Sequence, residues 1–257
     1  MVFFKTSVTV IFILISYTSF SQSKIDKILT EISTATSANR IESDIKKLVD
    51  FGTRHTLSDT VSTTQGIGAA RRWIKTAFEE VSKDCNNCLE VSFLGDLVKA
   101  DGRRILTDTK IVNVLAIQRG TKYPNHYIIM SGDIDSRVSD ENDFTSISPG
   151  ANDNATGMAG ALEASRVLSK YKFPVSIIYV GLSGEEQGLY GGKIMAKHAK
   201  DNNWNIIGVL NNDMIGNVEG IDGVIDNSTF RVFSEAISME STEKERASMR
   251  YYGGEVD

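Results

Sequence analysis

Three apolar runs that each end in acids constrain this chain more than anything else in it. Tyr127–Met130 leads into Ser131-Gly132-Asp133-Ile134-Asp135. Val175–Val180 stops at Gly181 and is followed by Gly184-Glu185-Glu186. Ile206–Leu210 leads into Asn211-Asn212-Asp213. Short, β-branched apolar runs of this kind are strands buried on both faces. Ala155–Lys170 and Leu189–His198 between them have helical spacing. Strands alternating with helices predict an α/β chain with a largely parallel sheet covered on both faces.

In such sheets the working crevice lies beyond the carboxyl ends of the strands. If the three strands are neighbours, Asp133, Asp135, Glu185, Glu186 and Asp213 converge there, joined by Asp153 from the turn Pro149–Asn154 that feeds the next helix. Two like charges ~4 Å apart repel by ~4 kcal/mol at an effective dielectric of ~20. Several ionised carboxylates therefore shift their pKa values upward or recruit cations, and oxygen ligands suit divalent metals. The alternative is that these acids are solvated loop residues or helix caps, with Asp153 or Asn154 capping the following helix. The adjacent Glu185-Glu186 pair favours the metal. Metal-assisted hydrolysis needs a ligand and a separate base, and neighbours in a turn can serve as one each.

The rest of the 257 residues, 41% hydrophobic and 24% charged, suit one large domain. Net charge is −5 with no basic block, which argues against nucleic acid. Lys5 followed by the apolar or small run Ser7–Tyr17 and by Ser19-Phe20-Ser21 has the form of a secretory signal peptide cut after Ser21. A retained N-terminal anchor is the alternative. No later segment approaches ~20 apolar residues, so no stable membrane insertion is expected after signal removal. Secretion or a periplasmic location follows. In that oxidising setting Cys85 and Cys88 read as a small disulfide-closed turn, with two free thiols as the alternative.

Helical spacing covers Gln22–Thr34, Asn39–Phe51, Thr63–Ser82 and Thr229–Ser241. Gly66-Ile67-Gly68 in the third has no preceding strand and no third glycine, so it is not a dinucleotide loop. Leu89–Lys99 and Arg103–Gln118 predict two strands joined at Asp101-Gly102. His55, His126 and His198 are expected at the surface, and Trp73 and Trp204 in packing. The sequon Asn154-Ala155-Thr156 lies inside the proposed crevice, which argues against glycosylation.

Four motifs together, SGDIDS at Ser131–Ser136, PGANDNATG at Pro149–Gly157, SGEEQGLYGG at Ser183–Gly192 and LNNDMIG at Leu210–Gly216, resemble those of the M28 metallopeptidases, exported di-zinc aminopeptidases and their relatives. The resemblance implies a zinc-exopeptidase-like fold, a mixed, mostly parallel sheet sandwiched by helices, here with N-terminal helices and a β-hairpin. It implies Asp153 as the carboxylate bridging two zinc ions, Glu186 and Asp213 as ligands of one each, Glu185 as general base and Asp135 as the acid that orients the first ligand. The implied reaction is attack of metal-bound hydroxide on the N-terminal bond of a peptide or protein substrate. A glutaminyl-cyclase-like activity and a catalytically degenerate peptide-binding module are the alternatives.

Two positions depart from the family pattern. Asp133 stands where the family has a histidine ligand. With Asp133, Asp153, Glu186 and Asp213 all anionic, harder ions such as Mn²⁺ or Mg²⁺ become possible. No histidine follows Asp213, where the family places its last ligand, and the expectation is a single domain over residues 22–257 that lacks its C-terminal part.

Overall fold

The computed structural model describes residues 25–232. A first helix, α1, spans 25–35. Then come α2 (Ala38–Val49), α3 (Gly66–Asp84), β1 (Leu89–Val98), β2 (Thr109–Gln118), β3 (Tyr123–Asp133), a π-helical turn (Ala151–Thr156), α4 (Gly157–Leu168), β4 (Val175–Leu182), α5 (Tyr190–Asp201) and β5 (Asn205–Asn211). The chain divides into two compact units, one up to Met214 and one from Ile215. The first carries the sheet. The described part of the second holds a short antiparallel bridge between Glu219 and Ile225. Most of the helix expected over Thr229–Ser241 lies outside the described residues. No helix of the described residues is long and apolar enough to cross a membrane.

The sheet order is β1-β2-β4-β3-β5. β3 pairs in parallel with β4 on one side and β5 on the other, while β1–β2 and β2–β4 are antiparallel. The sheet is thus mixed, with parallel pairing confined to the half that carries the acids. Alternate residues of its central strands feed two cores, because successive strand side chains point to opposite faces. Val114, Ala116 and Tyr179 pack with Leu48, Ile74, Phe78 and Leu162 of α2, α3 and α4. Leu115, Ile117, Ile178 and Val180 pack with Met195 of α5 on the other face. Trp73 lies against the first core and Trp204 against the second, where it stacks on Tyr127.

Several boundaries differ from the sequence expectation. Arg103–Asp108 is loop rather than strand. Asp101 Oδ1 accepts hydrogen bonds from the N–H groups of Arg103, Arg104 and Ile105, amides that a ladder would otherwise use. α4 begins at Gly157 rather than Ala155, because Asp153 and Asn154 leave helical geometry. Cys85 and Cys88 form a disulfide that closes the turn after α3.

Candidate metal centre

Parallel pairing on both sides of β3 brings the carboxyl ends of β3, β4 and β5 to one edge. Asp133 sits opposite Leu182, and Ser131 opposite Asn211. Two glycines let the backbone close around this edge. A Cβ on Gly132 would lie 2.4 Å from the Gly157 carbonyl carbon, and one on Gly157 would lie 2.0 Å from Asn212 O. The start of α4 therefore sits directly against the ends of β3 and β5.

Asn154 locks this junction. It is 1% exposed. Its Nδ2 donates to Asp133 Oδ2 and to Asn212 O, both at 2.9 Å, and its Oδ1 accepts from the N–H groups of Gly157 and Met214. With its amide engaged and buried, the sequon is closed to glycosylation. Neighbouring Asp153 stays exposed at the open side of the turn, and the peptide between the two is cis.

Asp135 organises the second half of the site. It is 1% exposed. Its oxygens accept from Thr56 Oγ1 at 2.8 Å and from the N–H groups of Gly184, Glu185 and Glu186 at 2.9–3.2 Å. One carboxylate therefore pins the turn that carries both glutamates. Burial raises its pKa, opposed by these hydrogen bonds.

The remaining acids sense one another. Asp133 is pushed up to about 7 by burial, then by the charge of Asp135, with smaller contributions from Glu185 and Asp213 and opposition from Asn154. Glu185, half-buried, is pushed up to about 7 by burial and then by Glu186, Asp135, Asp213 and Asp153. Burial raises Glu186 against the pull of Arg137, and partial burial and the Asp153 charge raise Asp213. The carboxylates named from the sequence thus share one electrostatic neighbourhood. Glu186, however, is turned toward Arg137, whose Nε lies 2.6 Å from its Oε2. Among the described residues no three His, Cys, Asp or Glu side chains stand close enough to hold one ion.

Sequence reasoning missed the cations and the buried polar groups around these acids. Arg54 is completely buried. It donates to Ile134 O, Leu48 O, Pro149 O and Gly150 O at 2.7–2.9 Å, tying α2, the end of β3 and the approach to the π turn together. His55 is a correction: expected at the surface, it is also completely buried. Its Nδ1 accepts from Leu57 N–H, and its Nε2 lies 3.1 Å from Glu141 O and 3.0 Å from Gln187 Nε2. Burial lowers its pKa. The other two histidines are half-buried, and His198 packs edge-on against Trp204. Thr56 and Arg137 complete the set of overlooked residues, whereas Asn154 is a candidate cap of the following helix in the sequence and accepts from Gly157 N–H at its start.

The model of peptidase family M28 matches residues 113–251, more than half of the chain. A protein of Pyricularia oryzae described as a probable zinc metalloprotease is 42% identical over 219 residues, which cover 85% of this chain and 43% of the relative. A Leptosphaeria maculans protein with the same description is 41% identical over 221 residues, 86% of this chain and 51% of its own. This chain spans about half the length of the curated relatives it matches. Among solved structures, LapB from Legionella pneumophila superposes with a TM-score of 0.59 at 18% identity, covering 74% of this chain and 46% of LapB. A leucine aminopeptidase precursor from Bacteroides thetaiotaomicron gives 0.53 at 22% identity, covering 70% and 63%. A glutaminyl cyclase from Fimbriiglobus ruber gives 0.53 at 18%, covering 68% and 60%. These three likenesses show the fold. The family match, together with relatives above 40% identity across most of the chain, establishes that this chain belongs to peptidase family M28.

Proposed function

We propose that this chain carries the metal-binding and proton-transfer residues of an exported zinc peptidase that removes residues from peptide N-termini. The observation that carries the reading is the convergence of Asp133, Asp153, Glu185, Glu186 and Asp213 around the carboxyl ends of three parallel strands. The relatives described as probable zinc metalloproteases and the aminopeptidase fold neighbours support it.

The donor types suit divalent cations, since anionic oxygens in one electrostatic neighbourhood are stabilised by positive charge, although among the described residues no three of them stand within reach of one ion. Asp133, Asp153, Glu186 and Asp213 would hold two zinc ions, with Glu186 released from Arg137. Four anionic ligands also suit Mn²⁺ or Mg²⁺. Bound there, the metal would polarise the scissile carbonyl and make water nucleophilic at neutral pH. Asp135 holds the Gly184–Glu186 turn by its backbone, so that Glu185 and Glu186 are carried on one rigid element. Glu185 has a proton affinity near neutrality, which suits a group that takes a proton from water and passes it to the leaving amine. Arg137 neutralises Glu186 when no cation does.

Glu185→Gln in the full-length parent, assayed on N-terminal aminoacyl peptides, is expected to lower kcat by at least about 100-fold while zinc content by elemental analysis stays unchanged. Unchanged turnover removes Glu185 from its role. Ammonia release from an N-terminal glutamine peptide, without amino-acid release, would replace the peptidase by a cyclase. Retained peptide binding without metal would replace it by a binding module. Export is tested by the N-terminus of the mature protein, expected at Gln22.

A further inference from the structure

We infer that a basic pocket between α3 and the β1–β2 hairpin binds a small oxyanion, a carboxylate or phosphate group, through Arg71, Arg72 and Lys110. The pocket has a volume of about 430 Å³ and is lined by these three cations with Phe93, Gly95 and Val112. That is room for more than a bare inorganic anion.

Arg71 carries the argument. It is 8% exposed, yet among the described residues its guanidinium makes no hydrogen bond and no ion pair. Buried charges in folded chains are almost always partnered, whereas the Arg71 nitrogens meet only the solvent of the pocket they line. Burial lowers its pKa to about 10, so it remains a cation at neutral pH. The acid whose charge reaches it, Asp135, is already held by Thr56 and three backbone N–H groups.

The two other cations reinforce the pocket from different directions. Arg72 is fixed by donation to the carbonyls of Thr60, Val61 and Ser62. It holds its charge in place without a carboxylate. Gly68 makes that docking possible, since a Cβ there would lie 2.3 Å from Thr60 O. Lys110, exposed on β2, has no ion pair among the described residues. Three positive charges with no anion among them attract one, and the planar guanidinium fork of Arg71 matches the two oxygens of a carboxylate or phosphate. The pocket shares no lining residue with the acid crevice, although the Asp135 charge reaches Arg71, and it does not rest on the peptidase reading.

The test uses the metal-free chain in low-chloride buffer, titrated with inorganic phosphate and, separately, with N-acetylglutamate, against sodium chloride at equal ionic strength. Calorimetry and the thermal midpoint are the readouts. Saturable binding of either probe beyond chloride is expected. Phosphate alone identifies a phosphate ligand, N-acetylglutamate alone a carboxylate, and both a general oxyanion site. Arg71→Met is expected to weaken binding at least about tenfold, and Lys110→Ala about threefold. If Arg71→Met fails to fold, Lys110→Glu takes its place and must abolish binding. The inference is overturned if neither probe exceeds chloride, or if binding survives in the folded Arg71→Met or in the Lys110→Glu protein.

Discussion

Arg54 and Arg71 are both buried, and burial lowers both to about 10. Both also lie within reach of the Asp135 charge, but their hydrogen bonding differs. Arg54 meets four carbonyl oxygens and lies within reach of the charges of Asp135 and Asp153, at the edge where the acids gather. Arg71 faces a pocket and meets no partner among the described residues. The first is part of the scaffold that holds the acid crevice in shape. The second is a charge held ready for something else. Desolvation alone therefore does not tell a structural cation from a binding one; the inventory of its hydrogen bonds does.

The largest effect should come from breaking the scaffold side. Arg54→Met takes a donor from the carbonyls of Ile134, Leu48, Pro149 and Gly150 and removes the buried cation facing Asp135 and Asp153. We expect a loss of about 3–5 kcal/mol in urea unfolding. A loss below about 1 kcal/mol would erase the distinction from Arg71. Asn154→Ala strands Asp133 Oδ2, Asn212 O and two amides, and should cost about 2 kcal/mol in the same measurement.

A pH series sharpens the comparison, because neither arginine titrates near neutrality while Asp133 and Glu185 do. In the metal-free protein Asp133 and Glu185 have carboxyl pKa values of about 7, against ordinary values of 3.8 and 4.5. Between those limits the folded state binds more protons than the unfolded one. Stability from these groups is complete below about 4 and lost as pH rises through about 7. Melting temperatures in chelator should accordingly fall from pH 5 to 8, with the slope reduced in Asp133→Asn. Zinc should reverse it, since metal binding favours deprotonated ligands. A flat profile would show that these acids do not interact in the fold. The smallest effect is expected for Arg71→Met without added anion: no change, or a gain of up to about 1 kcal/mol, as the uncompensated charge is removed.

Much of the fold was legible because strands and helices announce themselves by local period. The apolar runs near Tyr127, Val175 and Ile206 became β3, β4 and β5, and the close spacing of Cys85 and Cys88 suited the disulfide they form. The three acid-ended runs reach one edge of the sheet, as their pattern implied. The β1–β2 hairpin was legible too, whereas the antiparallel pairing of β2 with β4, the loop at Arg103–Asp108 and the late start of α4 were not. Each depends on a side chain or a pairing that competes with local propensity. His55 shows the same limit. Its neighbours in sequence are mostly polar, so it resembled a surface residue, and Glu141, Gln187 and Leu57 reveal it as a buried hydrogen-bonded imidazole.

What the sequence determined by itself was which strands end in carboxylates; that their ends meet at one edge followed from the strand order. Periodicity and residue type suffice for the first, because both are local. Tertiary structure alone decided what surrounds them. Arg54, Thr56, Asn154 and Arg137 act on partners far away in the chain, and whether Arg54 or Arg71 is satisfied depends on which carbonyls the fold brings within hydrogen-bonding distance. Hydrogen bonding acts over a few ångströms of space, so no spacing along the chain could have separated the two arginines.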